Sequence, residues 1–273
     1  MPFPVYLHFG PVTIHPHLLF EAIAYSVGFR SYLALRKSRG DSLDAPHRWW
    51  IVASATSGAL FGAILLAALE NPRQWLQDWH TLHTPFAGKT IVGALIGGVI
   101  VVELAKLRLG IRRRTGDLFA IPLCIGIAIG RIGCFLTGLE DQTSGVSTSL
   151  PWGANFGDGT PRHPAQLYEI LFLIFLMVLI VLLSRRSYME GDLFRLFMAG
   201  YLSFRLLIEF LKSDPPVLFG LSSVQLACLC MLAFYSRDVP RLLRELSSGV
   251  SAHPIVPQPS APEISGITRD LAP

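Results

Sequence analysis

LYEILFLIFLMVLIVLL, residues 167–183, and WWIVASATSGALFGAILLAAL, residues 49–69, decide the fold class. The first has a single charge, Glu169, near its start, and the second has none. A helix needs about 20 predominantly apolar residues to cross a hydrocarbon core about 30 Å thick, and both stretches approach or meet that length. They fall in windows 164–184 and 50–69, and further windows can be placed at 17–35, 89–106, 117–136, 193–212 and 221–236. The sequence therefore predicts an all-α integral membrane protein with about seven transmembrane helices. Residues 1–246 form its membrane domain, and residues 247–273, rich in Ser and Pro without hydrophobic periodicity, are expected to be a disordered cytoplasmic tail.

Composition agrees. Over 273 residues, 51% are hydrophobic and 15% charged, and the mean hydropathy is +0.48, too apolar for an ordinary soluble domain. The net charge of +4 does not imply a nucleic-acid partner, because the basic residues sit in short clusters between apolar blocks instead of forming a stripe. Cys124, Cys134, Cys228 and Cys230 form no CxxC pair and have no nearby His in the chain, so spacing indicates neither zinc nor a disulfide framework. No metal or organic cofactor is expected. The opening MPFPVYLHFG lacks a basic n-region and a small-residue cleavage site, so the first apolar block is read as a span.

Orientation follows from loop charge. Arg36, Lys37, Arg39 and Arg48 lie in the first connection, Lys106, Arg108 and Arg112 to Arg114 in the third, and Arg185, Arg186 and Arg195 in the fifth. The alternate connections are poor in basic residues. Cytoplasmic loops retain Lys and Arg, so an outside N-terminus and a cytoplasmic C-terminus are expected. The long connection 137–163 then faces outward, and Trp49 and Trp50 read as interfacial anchors.

An ionisable group near the bilayer centre costs at least about 2.5–3.5 kcal/mol on the insertion scale, so such groups face a bundle interior or cavity. Glu21, Arg30, Glu103, Arg131, Arg205 and Glu209 fall inside predicted spans. Tyr201, Arg205 and Glu209 are spaced by four, which puts them on one helix face. Arg131 lies among Gly126, Gly130 and Gly133, where small residues allow close approach and a planar guanidinium suits phosphate oxygens. Gly93, Gly97 and Gly98 read as a helix-packing face. In PRHPAQLYE (161–169), Pro164 and Glu169 suit a helix start, while His163, Gln166 and Tyr168 form a polar cluster in which histidine could act as a base.

With these motifs in place, the sequence resembles the prolipoprotein diacylglyceryl transferases. Three stretches carry the resemblance: GRIGCFLTGLEDQTSG (130–145), RHPAQLYE (162–169) and GYLSFRLLIEFLKSD (200–214), with a weaker match at VGALIGG (92–98). The resemblance implies a multi-pass enzyme of the bacterial cytoplasmic (inner) membrane. It moves diacylglyceryl from phosphatidylglycerol to the lipobox cysteine thiol of a preprolipoprotein and releases glycerol phosphate. Its expected partners are phosphatidylglycerol, that lipobox cysteine and membrane lipids, without nucleic acid.

The resemblance further implies that Arg131 and Arg205 hold the phosphate and that Glu209 and Tyr201 orient Arg205. His163 or Glu140 would assist proton transfer, and Gly133, Gln166 and Tyr168 would complete the substrate site. Four departures from the pattern stand out, the first being GLEDQTSG (138–145) in place of the usual GELWG. Val92 stands where the family commonly has a histidine, Cys134 replaces the signature asparagine, and HPHLLFEAIAY (15–25) shifts the first span. Glu21, His15, His17 and His163 are therefore candidates for a replacement base. Two other readings are a paralogue with a different acceptor and a lipid-binding or transport protein without chemistry.

Overall fold

The computed structural model of the chain describes residues 3–10, 12–70, 72, 75–76, 89–185, 189–212, 216–237 and 240. The tail expected from residue 247 lies outside the described residues. Seven α-helices are present among them: α1 Pro16–Arg39, α2 Ala45–Glu70, α3 Ile91–Leu109, α4 Asp117–Thr137, α5 Ala165–Leu183, α6 Asp192–Ile208 and α7 Ser223–Ser236. Each falls on one of the seven windows predicted from hydropathy, and the chain is an all-α membrane protein. Four segments, Pro16–Arg39, Ala45–Glu70, Asp117–Asp141 and Ala165–Leu183, are long and apolar enough to cross a bilayer by themselves. Helix α3 has Glu103, Lys106 and Arg108 in its last two turns, and Lys106 pairs with Glu103 at 2.8 Å. At 14 residues, α7 is about 21 Å long, short of the hydrocarbon core.

Local chemistry fixes several ends. Thr90 caps α3 by accepting from the Gly93 amide at 3.1 Å. Ser222 and Gln225 form a reciprocal capping box at α7. Asp117 accepts the amides of Gly191 at 2.6 Å and Phe194 at 3.0 Å, tying the first turns of α4 and α6 together. Short strands not anticipated from hydropathy complete the chain. β1 (Leu7–Phe9) pairs antiparallel with β2 (Val12–Ile14), and β3 (Ala154–Asn155) with β4 (Pro161–Arg162). The second pair and the bonds Val146 N–H to Leu211 O (2.7 Å) and Gly145 N–H to His163 O (2.9 Å) give the long connection a defined path against the end of α6.

Helix α4 is the hub, packing on α1, α5 and α6, while α2 packs on α3. The α2–α3 contact is a glycine seam of Gly58 and Gly62 against Gly93 and Gly97, as the small-residue spacing predicted. A Cβ on Gly58 would stand 2.5 Å from the Gly97 carbonyl oxygen and 2.7 Å from Val101 Cβ. Lipid supplies no hydrophobic drive between helices, so this backbone approach and its dispersion contacts carry the association. Large apolar side chains such as Phe61, Leu171 and Phe175 point away from the bundle, as a lipid-facing surface requires. Gly58→Val should destabilise the protein by about 1–3 kcal/mol or more through overpacking. Gly130→Ala, where a Cβ meets nothing within 4 Å, should leave thermal stability in detergent nearly unchanged.

At the opposite end of the bundle from the 137–163 connection, Arg48 is fully buried. Its Nε donates to Asp41 at 2.9 and 3.0 Å, and Nη1 to the Thr115 carbonyl at 3.2 Å, joining the α1–α2 and α3–α4 connections. Burial pushes the Asp41 carboxyl up, but bonds from Arg48, the Leu43 amide and Arg36 outweigh it and hold it below its ordinary value. A depressed folded value gives stability that is present above the unfolded carboxylate value and lost as pH falls through the folded one. Melting followed from neutral to acid pH should show that loss in the wild type and not in Asp41→Asn.

Candidate active site

Helices α4, α5 and α6 meet in a buried ionic cluster centred on Glu169. The buried side of α5 includes Gln166, Glu169, Leu173, Leu176 and Ile180, a helical stripe that turns Glu169 inward from the first turns. Arg131 Nε of α4 lies 2.9 Å from Glu169 Oε2, and Arg205 Nη1 of α6 lies 3.4 Å from the same oxygen. Tyr201 donates its hydroxyl to Glu169 Oε1 at 2.7 Å. Arg205 Nη2 donates to Glu209 Oε2 at 2.8 Å, and Lys212 Nζ stands 3.9 Å from that oxygen. Arg131, Glu169, Tyr201, Arg205 and Glu209 are all buried.

The four-residue spacing correctly anticipated the Arg205–Glu209 pair. It did not anticipate that Tyr201 bonds Glu169 on the neighbouring helix instead of Arg205. Glu169 itself read as a dipole-favoured first-turn acid, and its burial on the inward stripe of α5 overturns that reading. Two guanidiniums offer ten N–H donors to the two carboxylates. Arg205 Nε is buried without a hydrogen-bond acceptor among the described residues. The cluster is thus donor-rich, an arrangement suited to anionic oxygens.

The other predicted residues lie around this cluster. Gln166 is buried and donates through Nε2 to Thr143 Oγ1 at 3.0 Å, and Thr143 donates to Asp141 Oδ2 at 2.6 Å. Tyr168 accepts from Trp152 Nε1 at 2.9 Å, and its hydroxyl is 3.2 Å from His163 Nδ1. Glu140 is exposed, 3.6 Å from His15 Nε2, beside a recess of about 250 Å³ lined in part by Phe3, Leu139 and Phe156. Among the described residues, neither His163 nor Glu140 makes a hydrogen bond or ion pair to the arginine cluster. Val92 lies in the apolar core. Gly133 lets α1 approach α4, since a Cβ there would meet Phe20 Cβ at 2.7 Å and His17 Cα at 3.3 Å.

That approach produces a contact invisible in the spacing of the cysteines. His17 Nδ1 lies 2.8 Å from Asp141 Oδ1, and Arg131 Nη1 donates to Cys134 Sγ at 3.8 Å. A ring nitrogen of His17, Cys134 Sγ and an Asp141 oxygen lie within 4.8 Å of one another. Glu21 stands behind, 3.9 Å from His17 Nε2, with Tyr25 donating to it at 3.0 Å and Lys89 3.5 Å away.

Fold and site together define a polytopic membrane enzyme with a cationic, donor-rich centre enclosed by its helices. The chain belongs to the prolipoprotein diacylglyceryl transferase family, whose profile matches residues 4–236, and it is a diacylglyceryl transferase. It is 32% identical over 243 residues to the phosphatidylglycerol–prolipoprotein diacylglyceryl transferase of Bordetella parapertussis, covering 82% of this chain and 87% of the relative. The enzyme of the same name from Geobacter sulfurreducens is 30% identical over 244 residues, covering 81% and 87%. That from Cupriavidus metallidurans is 29% identical over 247 residues, covering 82% and 85%.

Removing the shared carboxylate leaves two buried arginines facing each other. Glu169→Leu should lower stability by about 3–5 kcal/mol, the cost of stranding buried charge. Tyr201→Phe, which removes one bond to a charged acceptor, should lower it by about 1.5–3 kcal/mol. Denaturation of the purified variants in detergent checks both values.

Proposed function

We propose that this chain transfers diacylglyceryl from phosphatidylglycerol to the thiol of a prolipoprotein lipobox cysteine. The observation that carries the reading is the Arg131–Glu169–Arg205 cluster, two guanidiniums converging on one buried carboxylate. A phosphodiester entering this end of the bundle finds donors already oriented by Glu169, Tyr201 and Glu209. As the acceptor sulfur bonds to the glyceryl carbon, the carbon–oxygen bond to phosphate breaks and its electron pair leaves with glycerol phosphate. Guanidiniums held beside that oxygen stabilise the charge that gathers there, and such fixed donors are worth more in a water-poor site. Gly133, Gln166 and Tyr168 shape the surrounding wall, and His163 or Glu140 on the loop side assists proton transfer to or from the attacking thiol.

The same proposal places this end of α4, α5 and α6 on the outer face of a bacterial cytoplasmic membrane, with the N-terminus outside and the C-terminus inside. Residues 1–246 are its membrane transferase domain and 247–273 a cytoplasmic tail. Support comes from the basic residues at the opposite helix ends: Arg36, Lys37 and Arg39 in the last turn of α1 and Lys106 and Arg108 in the last turn of α3.

Transfer of labelled diacylglyceryl from phosphatidylglycerol to a lipobox-cysteine peptide tests the reaction. Wild type should form the thioether, and folded Arg131→Ala should be slower by about 100- to 1,000-fold, the usual loss when a transition-state donor is removed. Equal rates in the two proteins would remove Arg131 from the reaction.

A further inference from the structure

The geometry points to a metal site, formed by His17, Cys134 and Asp141, that binds zinc and activates the acceptor thiol; the activating role rests on the transfer reaction proposed above. The three ligand atoms lie within 4.8 Å of one another. Zinc bonds of about 2.0–2.3 Å at tetrahedral angles require ligand separations of roughly 3.3–3.8 Å, so shifts of about 1 Å or less bring the set onto one ion. One imidazole, one thiolate and one carboxylate form a borderline-soft set that suits zinc over magnesium or calcium. Three protein ligands with one position open is the arrangement of a reactive zinc, whereas structural zinc is closed by four.

The surroundings are also those of a metal site. Histidine ligands characteristically have a carboxylate behind the second ring nitrogen, and here Glu21 stands 3.9 Å from His17 Nε2. Glu21 is held by Tyr25 at 3.0 Å. The Asp141 carboxylate is fixed by Thr143 at 2.6 Å, and Thr143 in turn by Gln166 at 3.0 Å. A thiolate and a carboxylate neutralise a dication, so the loaded site carries no net charge into this part of the bundle. Cys134 is buried and His17 only partly so, which leaves the histidine side for an incoming ligand.

Function follows from what lies next door. Arg131 contacts both Cys134, at 3.8 Å, and Glu169, at 2.9 Å, so the metal site and the phosphate site share a residue. An acceptor thiol entering the open position is bound as thiolate, since coordination to zinc deprotonates it. Its sulfur then forms the bond to the glyceryl carbon as the carbon–oxygen bond breaks. The thiol's proton ends on the departing glycerol phosphate, so atoms and charge balance without another reactant.

Cobalt(II) is the probe, because thiolate coordination to it gives a charge-transfer band that an ordinary His–Asp ion pair cannot produce. The purified full chain in detergent should bind one cobalt, show that band and lose it when zinc is added. Cys134→Ser should lose the band, and Glu21→Gln should weaken metal binding by about tenfold to a hundredfold. Asp141→Asn gives a second reading if the serine variant fails to fold, with weakened binding and the thiolate band retained. No bound metal in the wild type, or a band that survives in Cys134→Ser, overturns the site. In the transfer assay, metal-stripped protein should lose activity and regain it with zinc; full activity without metal overturns the activating role alone. Zinc bound by a protein that forms no thioether would support the site and refute the lipobox reaction.

Discussion

Burying an arginine in a helix bundle within lipid is tolerable only when acceptors inside the bundle meet it, and this requirement organises the centre of the molecule. Glu169 answers it for two arginines at once, one from α4 and one from α6, while Tyr201 satisfies its other oxygen. Of the three helices, α4 and α5 find a partner for their charge only on another helix, while Arg205 of α6 also pairs with Glu209 four residues on. Their mutual docking therefore depends on a single carboxylate near the first turn of α5. The resulting cluster is held by its own hydrogen bonds and ion pairs, the preorganisation on which the proposed transfer draws.

The same cluster cannot move far without disturbing its anchors. Asp117 ties the starts of α4 and α6 at the far end, and Arg48 joins the two connections beside it. At the near end, the loop around residues 145–163 is bonded to the close of α6 and to the entry of α5. Arg131 is thus positioned by both ends of α4, and its distance to Glu169 is set by the frame as much as by the pair.

Much of this was legible in the sequence because bilayer thickness imposes a simple rule on hydropathy. All seven helices fell where apolar windows predicted them. The Arg205–Glu209 pair was legible because helical spacing is local, and the glycine seam because small residues recur every four positions. Contacts that depend on how two distant helices meet were not legible. Glu169 reads as a helix-dipole acid, since nothing in residues 161–169 reveals that two arginines from elsewhere converge on it. Chain spacing brings no histidine near the cysteines because His17 is 117 positions from Cys134, and the meeting depends on the missing side chain at Gly133. Arg48 read only as a topology marker in the first connection.

The glycine seam between α2 and α3 bears on how the chain enters the membrane. Its contacts are backbone and small side chains, so this hairpin can close as soon as α3 has left the insertion machinery, without waiting for any polar partner. Helix α4 is in a different position, because Arg131 has its carboxylate partner only after α5 has been made. Biogenesis is thereby divided into an early apolar hairpin and a later group of α4, α5 and α6 that settles together, with the order of synthesis dictating when each charge is neutralised.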